Sequence, residues 1–318
     1  MHLQENYSNE KILVFNGISQ KVIDYLEGAH FEVVINSQDT DEDFTQYGKD
    51  LYGIIVMMHK IDEKIIQKLP NLKIIARFGV GYDNVNLDDA TKYGVTVTNA
   101  PGANAVSVAE TAVMHMLMAG RLFYQYHQKM IGQADNDFLA QYRGQEITSK
   151  TVGIIGFGNI GQTIAQLLSG FNVNILAYAR RDRDVPNGRM ASLDEIYQQA
   201  DFIVLALPAT ANTVGMVNQD AFDQMKSNTV LVNIARGSVI DEPALIEALK
   251  AHKIAGAGLD VTVQEPLPAD SELLQLPNVF VTPHIAANSK EAHENVGLYA
   301  AEEIVRLLTG KEVRSQVN

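Results

Sequence analysis

The chain has 318 residues, 46% of them hydrophobic and 20% charged, which suits two compact domains at about 100–200 residues each. Its formal net charge of −13 speaks against a general nucleic-acid or acidic-membrane binder, since such proteins cluster Lys and Arg. The absence of cysteine excludes disulfides, thiolate metal sites and a Cys nucleophile.

The N-terminal stretch MHLQENYSNE lacks the basic-then-apolar order of a signal peptide, and a cytoplasmic protein is expected. The first hundred residues alternate short β-like runs with amphipathic stretches. Strands are predicted at Lys11–Phe15, Phe31–Ile35, Gly53–Met57, Leu72–Ala76 and Val95–Thr98. Helical spacing falls between them at Gln20–Leu26, Asp41–Tyr47, Glu63–Leu69 and Leu87–Tyr93. Such alternation implies a parallel sheet covered on both faces. The turn cluster NAPGAN (99–104) leads into a long, mostly apolar helix, Ala105–Arg121. Apolar residues on more than one face require burial on both sides: within its own core, between domains or against a second subunit. The apolar run 112–119, interrupted by His115, is far too short to span a bilayer.

A second alternation begins near Thr151. Its predicted strands are Thr151–Ile155, Asn174–Ala179, Phe202–Ala206, Thr229–Ile234, Gly256–Asp260 and Val279–Thr282. The helices between them are Ile160–Ser169, Leu193–Ala200, Gln219–Met225 and Pro243–Lys250, and Lys290–Leu308 forms a final amphipathic helix. The fold class is therefore α/β, with two doubly wound parallel-sheet domains of Rossmann-like or flavodoxin-like plan. Ligands are expected beyond the carboxyl ends of the strands.

Residues 151–161 read TVGIIGFGNIG, an apolar strand entering Gly156, Gly158 and Gly161 in G-x-G-x-x-G spacing, with helical period beyond. Gly156 permits the tight turn, Gly158 lets a pyrophosphate approach the backbone, and Gly161 lets the helix lie close on the strand. The helix N-terminus then offers free N–H groups to the phosphates. At the end of the next strand, an NAD enzyme usually places an acid for the ribose hydroxyls. Here Ala179 occupies that place and Arg180 and Arg181 follow. Guanidinium groups pair with a 2′-phosphate that an acid would repel, so NADP(H) is the expected cofactor and NAD(H) the alternative. The other reading of Arg180, Arg181 and Arg183 is a solvated cluster balanced by Asp182 and Asp184.

Three later strand ends place polar residues where such a sheet binds its ligand: NIARG (233–237), DVTVQEP (260–266) and TPHI (282–285). Reduction of a 2-keto acid needs a cation for the carboxylate and developing alkoxide, and a proton donor beside that oxygen. Arg236 suits the first task and His284 the second, while Glu265 would orient the imidazole and favour its protonated form. His59, His115 and His252 have no supporting partners in the sequence and read as structural or exposed. HExxH, EF-hand and Walker patterns do not occur, so no metal is expected.

The order and wording of RFGVGYDNV (77–85), NAVSVAET (104–111), GFGNIG (156–161), NIARGSVIDE (233–242), GAGLDV (256–261) and TPHIA (282–286) resemble the D-isomer-specific 2-hydroxyacid dehydrogenase family over nearly the whole chain. The resemblance implies Arg236 as substrate anchor, Glu265 as its acidic partner and His284 as acid/base. It places the backbone clamp for the substrate carboxylate on Val80 and Gly81. Cofactor contacts are implied at Asn159, Ile160, Leu207, Pro208, Ile234, Ala235, Arg236, Asp260, His284 and Ala286, besides the three glycines and residues 179–181. It further implies a substrate domain of residues 1–100 plus 289–318, a cofactor domain of 101–288, an active cleft between them, and a homodimer through the cofactor domain. Ala179 departs from the NAD-dependent members and is similar to the NADPH-using glyoxylate and hydroxypyruvate reductases.

The implied reaction is hydride transfer between NADP(H) and a small 2-keto or D-2-hydroxy acid, with no nucleic-acid or membrane partner. Met57 and Met58 stand where phosphoglycerate-using relatives place a cation, which favours an unphosphorylated substrate. The regulatory domain that some phosphoglycerate enzymes carry is not expected at this chain length. The rival expectations are a serine-pathway phosphoglycerate dehydrogenase and, from another class, a nucleotide-sensing corepressor that catalyses little.

Overall fold

The computed structural model describes residues 10–132 and 136–318, and the polar N-terminal stretch before residue 10 lies outside them. The described residues up to Asn104, with Asn288–Asn318, form one compact unit, and Ala105–Ala287 form the other. The first unit contains β1 (Lys11–Phe15), α1 (Gln20–Gly28), β2 (Glu32–Asn36), α2 (Asp41–Thr45), β3 (Leu51–Val56), α3 (Glu63–Ile66), β4 (Ile74–Arg77), α4 (Leu87–Lys92) and β5 (Thr96–Thr98). The second opens with α5 (Ala105–Gly120), α6 (Phe123–Met130) and α7 (Asn136–Gln141). It continues through β6 (Thr151–Ile155), α8 (Asn159–Leu167), β7 (Asn174–Tyr178), β8 (Gly188–Met190), α9 (Leu193–Gln199) and β9 (Phe202–Leu205). After these come α10 (Gln219–Gln224), β10 (Val230–Asn233), α11 (Glu242–Lys250), β11 (Gly256–Leu259) and β12 (Val279–Val281), and the chain returns to the first unit with α12 (Lys290–Leu308).

In the first unit five parallel strands run in the order β2-β1-β3-β4-β5. Alternate strand residues face opposite layers. Ile12, Val14, Ile55, Ile74 and Ala76 pack under α1 and α12, while Leu13, Ile54, Val56, Ile75 and Val97 pack under α2, α3 and α4. Each fully buried Ile or Val contributes about 1.5–3 kcal/mol to such a layer.

The second unit is a seven-stranded parallel sheet in the order β12-β11-β10-β9-β6-β7-β8. Val152, Ile154, Val204 and Val232 face α5 and α8, and Ile155, Ile203, Leu205 and Leu231 face α9, α10 and α11. The chain order reverses between β6 and β9, the switch point where open parallel sheets bind ligands. One side of α5 thus lies in its own unit's core, whereas Val106 and Leu117 remain exposed.

Five strands predicted to end at Ala179, Ala206, Ile234, Asp260 and Thr282 each stop one residue earlier, since the backbone leaves the ladder there to build loops. Two helices, α6 and α7, and the edge strand β8 have no counterpart among the predicted elements. β8 has three residues and, among the described residues, pairs with β7 alone; Gly188 enters it because an added Cβ would lie 2.0 Å from the carbonyl oxygen of Ile175.

Candidate active site

The glycine-rich turn sits at the switch point of the larger sheet. Gly156 follows β6 with φ +106°, and the N–H groups of Gly156 and Phe157 both donate to the carbonyl of Tyr178 at the end of β7. A Cβ on Gly156 would stand 2.4 Å from the carbonyl oxygen of Ala206, so the turn lies against the end of β9. At Gly161 a Cβ would come within 2.3 Å of the carbonyl oxygen of Gly156. Gly158 is different. It is the N-cap of α8, without a side chain to cap the helix, and a Cβ there would meet nothing within 4 Å. Open space before an uncapped helix N-terminus, flanked by exposed Asn159 and half-buried Ile160, fits a dinucleotide pyrophosphate.

Beyond β7, Ala179 is half-buried and Arg180, Arg181 and Arg183 are exposed. Among the described residues the nearby ion pair is Arg189 with Glu195, and none joins the three arginines to Asp182 or Asp184. After β9, Leu207 is buried and Pro208 exposed.

The loops after β10, β11 and β12 bring the polar strand ends together, because these strands are parallel neighbours. After β10, fully buried Asn233 shapes the loop: its Oδ1 accepts from the Ala235 amide at 3.0 Å, and its Nδ2 donates to the Arg236 carbonyl at 3.0 Å. Ile234 and Ala235 are thereby buried, and half-buried Arg236 donates from Nη1 to the Ala235 carbonyl at 2.8 Å. Gly237 lets this loop touch the next one, since a Cβ would lie 2.0 Å from the backbone of Thr262. The Thr262 amide in turn donates to Glu265 Oε1 at 3.2 Å, and Glu265 Oε2 is 2.7 Å from His284 Nδ1. Arg236, Glu265 and His284 are therefore linked through one continuous set of contacts. The side chains of His284 and Glu265 are 42% and 36% exposed, so the pair is not sealed in the core.

His284 has φ +54°, a left-handed conformation that costs an L residue about 1–2 kcal/mol. Its surroundings impose it. Asp260 is 1% exposed; its backbone carbonyl accepts the His284 amide at 2.8 Å, and its carboxylate accepts the amides of Ile285 at 2.9 Å and Ala286 at 2.8 Å. The hydroxyl of Thr282 also donates to Asp260, at 2.5 Å. Asp260, implied by the resemblance as a cofactor contact, is in this structure the internal anchor of the histidine loop.

In the smaller unit, Phe78–Gly81 forms the loop after β4. The Val80 carbonyl accepts from Asn99 Nδ2 at 2.7 Å, and the Gly79 carbonyl accepts from the Ala100 amide at 2.8 Å. Met57 packs on the core, whereas Met58 is 62% exposed. The sequence reading of this region as two thioethers missed a cation: Arg77 Nη2 lies 3.8 Å from Met58 Sδ, and Nη1 donates to the Phe78 carbonyl. The two residues are 19 apart, and only the pairing of β3 with β4 brings their strand ends together.

The structure supplies partners that the sequence did not show: His115 meets Thr282 Oγ1 at 2.8 Å, and His59 pairs with Asp41 at 2.9 Å and stacks on Phe44. Asn233 and Thr282 were not singled out as site residues, although Thr282 ends a predicted strand and Asn233 stands one residue before the end of another. Among the described residues no group of His, Asp and Glu could hold a metal ion, and no helix is long and apolar enough to cross a membrane.

Residues 113–286 match the family model described as D-isomer specific 2-hydroxyacid dehydrogenase, NAD binding domain. The chain is 38% identical to D-3-phosphoglycerate dehydrogenase of Archaeoglobus fulgidus over 97% of its own length, but spans only 59% of that protein. It is 35% identical to glyoxylate reductase of Pyrococcus furiosus, covering 97% of this chain and 95% of the relative. Among solved structures, the NADPH-dependent glyoxylate/hydroxypyruvate reductase of Sinorhizobium meliloti in complex with NADP and malonate superimposes with a TM-score of 0.83 at 31% identity, over 98% of this chain and 97% of the other. The chain belongs to the D-isomer specific 2-hydroxyacid dehydrogenase family, oxidoreductases that use a nicotinamide cofactor.

Proposed function

We propose that this protein is an NADPH-preferring reductase of a small, unphosphorylated 2-keto acid, of glyoxylate, hydroxypyruvate or aliphatic type, giving the D-2-hydroxy acid. The observation that carries the reading is the 2.7 Å contact between His284 and Glu265 on a loop joined to that of Arg236. Glu265 holds Nδ1, so Nε2 is the nitrogen left to deliver a proton. Arg236 supplies the positive charge for the substrate carboxylate and for the oxygen that becomes an alkoxide. The family resemblance makes the backbone of Val80 and Gly81, in the loop after β4, the candidate clamp for the carboxylate. A bound reduced nicotinamide supplies the hydride for the keto carbon. His284 then gives its proton to the carbonyl oxygen, so that the C=O becomes CH–OH and the imidazole is left neutral.

The preference for NADPH is supported by Ala179 in place of an acid and by three exposed arginines without ion pairs among the described residues. Exposed apolar residues on α5 and α6, Val106, Leu117, Phe123 and Met130 among them, support a homodimer through this face. A phosphoglycerate dehydrogenase is the second reading, and the guanidinium of Arg77 beside Met58 favours it by putting a cation near the substrate loop.

NADPH and NADH oxidation against glyoxylate, hydroxypyruvate, pyruvate, branched and aromatic 2-keto acids and 3-phosphohydroxypyruvate tests both readings. Highest kcat/KM with NADPH and an unphosphorylated acid is expected. Preference for 3-phosphohydroxypyruvate would transfer the assignment to the second reading, and tight NADPH binding without turnover would exclude both.

A further inference from the structure

Helix α5 is apolar along most of its length (AVSVAETAVMHMLMAG). Apart from solvent-facing Glu110, its polar residues Ser107, Thr111 and His115 recur every fourth position, on one face. All three reach the short segment that carries His284. Ser107 Oγ and Thr111 Oγ1 donate to the Ala286 carbonyl at 2.8 and 3.3 Å. His115 Nε2 lies 2.8 Å from Thr282 Oγ1. The helix therefore grips the segment two residues before His284 and two residues after it.

The direction of the bonds at Thr282 follows from its other partner. Ionised, the Asp260 carboxylate can only accept, so the Thr282 hydroxyl donates to Asp260 Oδ1 and receives a hydrogen bond from His115 Nε2. The same carboxylate takes the amides of Ile285 and Ala286. A chain His115–Thr282–Asp260 thus ends on the two peptide groups directly after His284.

His115 is fully buried, and its Nδ1 has no hydrogen-bond partner among the described residues. The ring tilts against Phe280 with centroids 5.1 Å apart. It also needs glycine at 258, where a Cβ would lie 2.9 Å from Nδ1. A buried imidazole with one unpartnered nitrogen is unfavourable where leucine would fill the same space. What leucine cannot provide is the bond to Thr282. Burial also pushes the His115 pKa down to about 4, so the neutral ring carries its single proton on Nε2.

We infer that His115 is a positioning residue for the reaction: through Thr282 and Asp260 it fixes the backbone that presents His284. The inference rests on His284 being the proton donor of the proposed reaction. The variants His115→Leu, His115→Gln and Thr282→Val test it, with His284→Asn as the reference for the donor itself.

Hydrogen exchange of the apoprotein reads the loop without any turnover. In His115→Leu and Thr282→Val, exchange at Ile285 and Ala286 is expected to speed up by about tenfold or more, with the rest of β11 and β12 unchanged. In steady-state assays with glyoxylate, or the keto acid of the panel that turns over fastest, kcat is expected to fall about tenfold or more while KM and the NADPH Kd stay within about threefold. His115→Gln, whose amide can donate to Thr282, should restore both readouts. The double variant His115→Leu/Thr282→Val should lose no more than the worse single variant, because both break one chain.

A lower melting temperature in His115→Leu with wild-type exchange at Ile285 and Ala286 and wild-type kcat would overturn the inference and leave a packing role. Additive losses in the double variant would overturn it too. Wild-type turnover in His284→Asn would instead remove the donor, while the exchange result still decides whether His115 holds the loop. Should His115→Leu fail to fold, Thr282→Val carries the same comparisons.

Discussion

Replacing Gly158 by alanine separates the two uses a glycine can have in the nucleotide turn. Its φ is −84°, which an L residue can adopt, and an added Cβ meets no atom within 4 Å. Loss of glycine's freedom in the unfolded chain favours the variant by about 0.4–1 kcal/mol. Alanine is the poorer N-cap by roughly 0.5 kcal/mol, so the two effects nearly cancel. At roughly 2–4 °C per kcal/mol, the melting temperature of the apoprotein should stay within about 2 °C of wild type. On the proposed reading the same methyl group would stand where a pyrophosphate approaches the backbone, so NADPH affinity should fall about tenfold or more, equivalent to about 1.4 kcal/mol. Gly161→Ala supplies the contrast. Its Cβ would lie 2.3 Å from the Gly156 carbonyl oxygen. Overpacking of about 1–3 kcal/mol should lower the melting temperature of that variant by roughly 2–12 °C. Thermal melts and NADPH titration by nicotinamide fluorescence measure both quantities. An NADPH Kd within twofold of wild type in Gly158→Ala would refute this turn as the pyrophosphate seat.

Ala179→Asp combined with Arg180→Ala should shift the kcat/KM ratio toward NADH, and unchanged NADPH selectivity would remove these residues from 2′-phosphate recognition. Arg236→Ala should raise KM and lower kcat together, measured with the best keto acid, because the proposed role gives the guanidinium both the carboxylate and the developing alkoxide. Stability should respond to pH through His115, whose pKa desolvation lowers from 6.5 to about 4, against a smaller raising effect of Asp260. The unfolded chain takes up this proton more readily, so the contribution is complete above 6.5 and is lost as pH falls toward 4, reaching about 3 kcal/mol at 1.36 kcal/mol per unit. Urea denaturation at two pH values, about 7.5 and 4.5, should show the wild type losing about 2–3 kcal/mol more than His115→Gln, and equal losses would contradict the assignment.

The parallel sheets were legible because buried strands such as Thr151–Ile155 and Phe202–Leu205 are almost entirely apolar runs between turn signals. The glycine turn was legible because each glycine meets a distinct local demand. Arg236, Glu265 and His284 stood out as polar residues in the loops that follow apolar strands. The supporting contacts were not legible, because they cross large sequence separations. His115 and Thr282 are 167 residues apart, and no local period announces their pairing. The i, i+4, i+8 polar stripe on α5 was the available signal, hidden by reading that helix only for its apolar faces. Arg77 was overlooked for the same reason, since only the β3–β4 register sets its guanidinium beside Met58. Helices α6 and α7 are short and of mixed polarity, FYQYHQKM and NDFLAQ, and give no strong period.

The most direct test of the proposed chemistry is the turnover number of His284→Asn at saturating NADPH and keto acid. Asparagine tolerates the left-handed backbone found at position 284, so the substitution removes the imidazole without forcing the loop to move. Turnover should fall by about 100-fold or more while NADPH affinity stays within about threefold of wild type. Turnover equal to that of the wild type would contradict the assignment of His284 as proton donor.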